Sequence, residues 1–162
     1  MKILGVDPGC RIAGFGVAVK DGSRIAIVDY GYLKMPASKS LVERIGILHA
    51  FFTKKITEHE ITDLALETPF LGRNAQNFLK LGYVRGILYL LADTHKLTLH
   101  EFSPREVKQT VTGFGGASKD QVARVIQQLC SHAVNAATHD VTDALAVTLC
   151  GAWQKKLQFS ER

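Results

Sequence analysis

Residues 3 to 6, Ile-Leu-Gly-Val, form an apolar run with no polar alternation. Such a run fits a central strand covered on both faces, which already demands a sheet with layers above and below it. The run ends on a carboxylate, Asp7, followed by Pro8-Gly9. From Ala13 to Val19 the pattern alternates, with Ala13, Phe15, Val17 and Val19 on one face and Gly14, Gly16 and Ala18 on the other. Lys20-Asp21-Gly22-Ser23 is a hairpin signal, and Arg24 to Leu33 reads as the returning strand. The chain therefore opens as an antiparallel meander. Its glycine-lined approach beside Asp7 leaves two roles open: a loop that cradles phosphate, or an acid that holds a metal.

Helical spacing begins after Ser40, where Leu41, Ile45, Leu48, Phe52 and Ile56 recur and Ser40 with Glu43 makes a capping box. Asp63 to Glu67 is a short apolar strand stopped by Pro69, Asn74 to about Thr94 is a long helix, and Leu97 to Phe102 is a further strand. Ser103-Pro104-Arg105-Glu106 and Ser118 with Gln121 announce two more helices through their caps. A last helix runs from about His139 to Trp153 with Thr138 as N-cap. The order predicts an α/β fold: a mixed five-stranded sheet, antiparallel meander plus parallel strands, with helices on both faces. One domain over residues 1–154 is expected, with 155–162 a loose tail.

At 162 residues the chain is long enough for a core that needs no staples. Cys10, Cys130 and Cys150 are odd in number and lack CxxC spacing, so they predict reduced thiols rather than a disulfide or zinc framework. No apolar run could span a bilayer, and the first strand leaves no room for a signal peptide, so a cytoplasmic protein without membrane contact is expected. A net charge of +5 leans toward an anionic partner.

The acids are more specific. Asp7 and Glu67 each close a short apolar strand, and each is followed within two residues by proline. If those strands lie parallel and adjacent, both acids sit at the carboxyl edge of the sheet, where open α/β sheets place ligands. Asp140 and Asp143, three apart at the start of the last helix, project from one face. Each acid alone has an ordinary explanation, as a solvated strand end or a complement to a helix dipole. Together they suggest a site. Clustered carboxylates repel unless a cation intervenes, and oxygen-only ligands select Mg²⁺ or Mn²⁺. Two such ions suit phosphodiester hydrolysis.

The stretches ILGVDPGCRIAGFGV, LALETPFLGRNAQNFLKLGYVRG, FSPREVKQTVTGFGGASKDQV and HDVTDALAV resemble the RuvC family of Holliday-junction resolvases. That family comprises crossover-junction endodeoxyribonucleases with a ribonuclease-H-like fold. The resemblance implies that Asp7, Glu67, Asp140 and Asp143 are the catalytic metal-binding carboxylates, with Mg²⁺ as cofactor, Mn²⁺ able to substitute, and two ions per site. It also implies a homodimer that nicks two opposed strands of four-way junction DNA, in recombination and repair, with the branch-migration proteins RuvA and RuvB as partners. Cys10 stands where serine is usual in the family, and His139 directly precedes Asp140; both read as neutral variants.

Further positions follow. The resemblance makes Phe70 a wedge that stacks on bases near the crossover, where a core aromatic is the alternative. Lys119 follows the cap Ser118, where a cation opposes the helix dipole, so an anion is expected near it. The family uses this position on phosphate and gives Lys108 a DNA role as well. Arg11, Arg73 and Arg85 could add phosphate contacts or stand as solvated charges. GFGG at 113–116 reads as a flexible connector, one able to settle on DNA. The long helix is apolar on more than one side, and Gly82 and Gly86 leave a shallow face, together suggesting a subunit interface, with full burial within the monomer as the rival reading. Rival readings are a related ribonuclease-H-like nuclease or binding module acting on RNA or other branched substrates, and an actin–hexokinase-type phosphotransferase, against which the single short lobe argues.

Overall fold

The computed structural model describes residues 1–69, 75–130 and 138–154. Its strands are β1 (Lys2–Asp7), β2 (Ile12–Asp21), β3 (Arg24–Lys34), β4 (Asp63–Glu67) and β5 (Thr98–Phe102). The helices are α1 (Leu41–His59), α2 (Ala75–Thr94), α3 (Pro104–Thr112), α4 (Lys119–Leu129) and α5 (His139–Trp153). The strands form one mixed sheet in the order β3-β2-β1-β4-β5. β2 pairs antiparallel with both β1 and β3, whereas β4 runs parallel to both β1 and β5. This is the predicted architecture, with the apolar run of β1 at its centre.

Local chemistry explains most boundaries. A two-residue turn joins β2 to β3, with Gly22 at φ +57°, a backbone that L side chains resist. Ser40 with Glu43, Ser103 with Glu106 and Ser118 with Gln121 all form complete capping boxes. Thr138 does stand at the N-cap of α5, yet its side chain makes no capping hydrogen bond. The expected tail, 155–162, lies outside the described residues.

Strand parity sorts the core into two layers. Leu4, Val6, Phe15, Val17, Leu64 and Leu66 face α1 and α2, where Leu48, Phe52, Ile56, Val84 and Leu88 meet them. Ile3, Ala65 and Phe102 face the opposite layer, built from α3, α4 and α5. Asp7 and Glu67 share the parity of Ile3 and Ala65, so they point toward α5.

α5 lies very close to the sheet because the strands beneath it carry glycines. A Cβ on Gly5 would come within 2.6 Å of the Thr148 backbone, and one on Gly14 would come within 2.0 Å of the Asp140 carbonyl oxygen. Gly16 is blocked in the same way by Thr148 and Leu145. The glycines beside Asp7 therefore form a floor for α5 rather than a phosphate-cradling loop. From Val141 to Ala152 nearly every residue of that helix is buried.

Gly46, in contrast, sits in α1 with open space around it. Gly46→Ala should stabilise the protein by up to about 1 kcal/mol through helix propensity. Gly14→Ala, with the same chemistry against the α5 backbone, should cost about 2 kcal/mol or more. Urea unfolding of the two variants gives the comparison, and equal effects would contradict the close approach.

Candidate active site

The acids reach one place by register. Val6 pairs with Leu66 in the parallel β1–β4 ladder, so the next residue on each strand, Asp7 and Glu67, closes the same carboxyl edge. Asp7 also pairs with Gly14 across β2, and it is over Gly14 that the Asp140 carbonyl rests. The first turn of α5 is thus held directly beside Asp7. Asp143, one turn further on, enters a cleft of about 210 Å³ that Asp7 and Glu67 also line.

The remaining walls come from α3 and α4. Pro104, Val107 and Lys108 of α3, Lys119 and Val122 of α4, and Ala146 of α5 complete the cleft. The anion that Lys119 demanded is Asp143: its Nζ donates to Asp143 Oδ2 at 3.0 Å while 72% of the lysine side chain stays exposed. Lys108 faces the cleft too, and its charge tempers Glu67. Asp140 does not line the cleft, but its charge raises Asp7.

Burial is the main reason why the acids are unsettled. It lifts Asp7 to about 6, helped by the charges of Asp143 and Asp140 and opposed by Lys119. It lifts Glu67 to about 7, helped by Asp7 and Asp143 and opposed by Lys119 and Lys108. Among the described residues, no three of the His, Cys, Asp and Glu side chains gather tightly enough to grip a metal ion. The donor chemistry nonetheless suits a hard divalent cation, being entirely oxygen and desolvated. Cys10 does not line the cleft, and burial pushes its thiol up. His139 is exposed at the first position of α5.

Sequence reasoning missed how Glu67 is anchored. Arg85, only 4% exposed, is neither a solvated charge nor a phosphate contact. Its Nη1 donates to the Glu67 carbonyl, and its Nη2 binds Glu101 and, at 2.9 Å, the Tyr89 hydroxyl. On the other side Thr68 N–H donates to the Phe102 carbonyl at 2.7 Å. A lone arginine inside the apolar stretch YVRGILYLLA was the available signal, because a buried charge needs partners. Phe70 and Arg73 lie outside the described residues. Gly82 and Gly86 face open space on the outer side of α2, in a stripe with exposed Leu79, Tyr83 and Leu90. That stripe is not buried within the monomer.

Raised carboxyl pKa values predict a sign. The folded state keeps protons on Asp7 and Glu67 that the unfolded chain has already released, so stability falls as pH rises from about 4 through about 7. In chelator, the wild type should lose about 2–3 kcal/mol more than Asp7→Asn over that interval. Denaturant melts at pH 4.5 and pH 7.5 measure the difference, and parallel losses would refute it.

The family model described as crossover junction endodeoxyribonuclease RuvC matches residues 3–151. A crossover junction endodeoxyribonuclease RuvC of Pelodictyon phaeoclathratiforme is 43% identical over 150 residues, covering 93% of this chain and 78% of the relative. One from Chlorobium phaeobacteroides is also 43% identical, over 93% of this chain and 80% of its own. Among solved structures, Thermus thermophilus RuvC in complex with Holliday junction substrate superposes with a TM-score of 0.85 at 25% identity, covering 93% of this chain and 92% of that one.

Proposed function

The chain belongs to the RuvC family of crossover junction endodeoxyribonucleases, and from that premise we propose that it resolves four-way DNA junctions by metal-dependent hydrolysis at the Asp7–Glu67–Asp143 cleft. The observation that carries the reading is the meeting of three acids and two lysines in one cleft, with Asp7 and Glu67 desolvated by burial. Asp140, whose charge reaches Asp7, is the fourth carboxylate of the set.

In this reading Asp7, Glu67, Asp140 and Asp143 would hold Mg²⁺ or Mn²⁺, two ions per site. Bound there, the cation supplies a Lewis acid for water activation and leaving-oxygen stabilisation. The residues do the rest. Asp7 and Glu67, raised to about 6 and about 7, would have to be deprotonated to hold such a cation. Lys119 neutralises Asp143 and is the exposed cation best placed to turn to a scissile phosphate. Lys108, across the cleft, holds a second phosphate oxygen. Phe70 and Arg73 are proposed as DNA contacts on the family likeness alone, as are RuvA and RuvB as partners. No helix among the described residues is long and apolar enough to cross a membrane, which is compatible with a cytoplasmic setting.

Two opposed strands require two sites, and the exposed α2 stripe around Gly82 and Gly86 offers the surface for a two-fold dimer. Sedimentation should show a dimer for the wild type and a monomer for Gly86→Glu, with the helix content unchanged. A dimer unaffected by the charge would move the interface elsewhere.

The decisive assay compares four-way junction, linear duplex DNA and RNA–DNA hybrid in one Mg²⁺ buffer. The junction should be cut in preference, and Asp7→Asn should bind it within about threefold of wild type while cleaving roughly 10³-fold more slowly. Full cleavage by that variant, or preference for the hybrid, would sink the assignment.

A further inference from the structure

The GFGG connector is not flexible in the way its composition suggests. Gly113 caps α3 at φ +77° and donates its N–H to the Gln109 carbonyl at 2.9 Å. The Gln109 side chain then spans the loop, with Nε2 donating to the Gly113 carbonyl at 2.7 Å and Oε1 accepting from Gly115 N–H at 3.0 Å. Phe114 is pinned at both backbone groups: its N–H donates to Thr112 Oγ1 at 3.1 Å, and its carbonyl accepts from Ala117 N–H at 3.1 Å.

What this bracing presents is an aromatic ring in water. Phe114 is 63% exposed. A single exposed apolar side chain means little by itself, but three neighbours give this one a direction. A Cβ on Gly116 would come within 2.7 Å of Phe114 Cζ, so the missing side chain lets the ring rest on backbone and leaves its other side open. Gly115 likewise makes room for Arg105, whose Cγ lies 2.8 Å from where a Cβ would be. The ring forms part of the wall of a groove of about 310 Å³ whose polar lining is Thr112, Gln121, Arg124 and Gln128, with Ala117 and Val125 between them. No carboxylate is among the described residues that line it.

Groove and cleft share α4: Lys119 and Val122 face one, Gln121 and Arg124 the other. A polyanion seated on Lys119 would continue onto the Arg124 side past one exposed acid, Asp120, and would meet no opposing charge in the groove lining itself. We propose that Phe114, with Arg124 and the amides beside it, is an ancillary nucleic-acid contact in which the ring stacks on a base of an arm leaving the cleft. The inference rests on the junction-binding reading above. A protein partner's apolar side chain could use the same ring but would gain nothing from the cation and amides, so nucleic acid is the occupant favoured.

The test uses the full chain and a labelled four-way junction in Ca²⁺ buffer, with affinity read by fluorescence anisotropy. Phe114→Leu keeps an apolar side chain but removes the ring, and should weaken binding about 5- to 100-fold. Phe114→Tyr should bind within about twofold of wild type, and Arg124→Gln should lower the slope of log affinity against log salt by about one. Thermal unfolding checks that none of the three is misfolded. Wild-type affinity in Phe114→Leu, or equal losses in the Leu and Tyr variants, would overturn the stacking contact while leaving the junction reading intact. Failure of the wild type itself to prefer a junction would overturn both.

Discussion

The close contact of α5 with the sheet is the constraint from which the site follows. Glycines at 5, 14 and 16 remove the side chains that would otherwise hold the helix several ångströms away. The helix can then lie against β1 and β2 with the Asp140 carbonyl over Gly14 and the Thr148 hydroxyl within 3.3 Å of the Gly16 carbonyl. Asp7 is the register partner of Gly14. A helix displaced by one methyl layer would carry Asp143 away from Asp7 even if every acid remained in the chain. Packing, here, is what sets the electrostatics.

The resulting pocket works against its own fold. Burial and mutual repulsion raise Asp7 to about 6 and Glu67 to about 7, and that strain must be offset by the apolar layers on either side of the sheet. The structure limits the damage with cations of two kinds. Lys119 is bonded to Asp143 yet mostly exposed, so it can change partner. Arg85 is buried and committed, fixing the Glu67 backbone without touching its carboxylate. One cation tunes charge and the other position, and a lysine and an arginine suit those roles for reasons of geometry.

Features decided within a few residues were legible in the sequence. The three capping boxes, the hairpin at Gly22 and the strand-terminal acids all appeared where expected, since each depends on neighbours in the chain. Lys119 was legible for the opposite reason: a cation at a helix start is locally wrong, and a local conflict marks a tertiary partner. The larger misses are non-local. On sequence alone the glycines beside Asp7 allow a phosphate approach, because nothing in the chain says that Thr148 will lie above them. The sequence suggests a phosphate contact or a solvated charge at Arg85 because its partners, Glu67 and Glu101, are 18 and 16 residues away. Thr138 has the right identity for a cap and occupies the right position, yet its hydroxyl is not used.

The connector at 113–116 shows how composition misleads in a particular direction. Three glycines in four residues suggest freedom, but glycine also permits close approach, and here it is approach that is used. Gly115 admits Arg105, Gly116 admits the Phe114 ring, and Gln109 ties the turn from one helical turn upstream. The same logic governs Gly5, Gly14 and Gly16 under α5. In both places the absent side chain is filled by another group, and the backbone is more tightly held than an alanine would allow. Glycine content in this chain therefore reports contact rather than mobility wherever a Cβ would meet a neighbour, and openness only where, as at Gly46, Gly82 and Gly86, it would meet nothing.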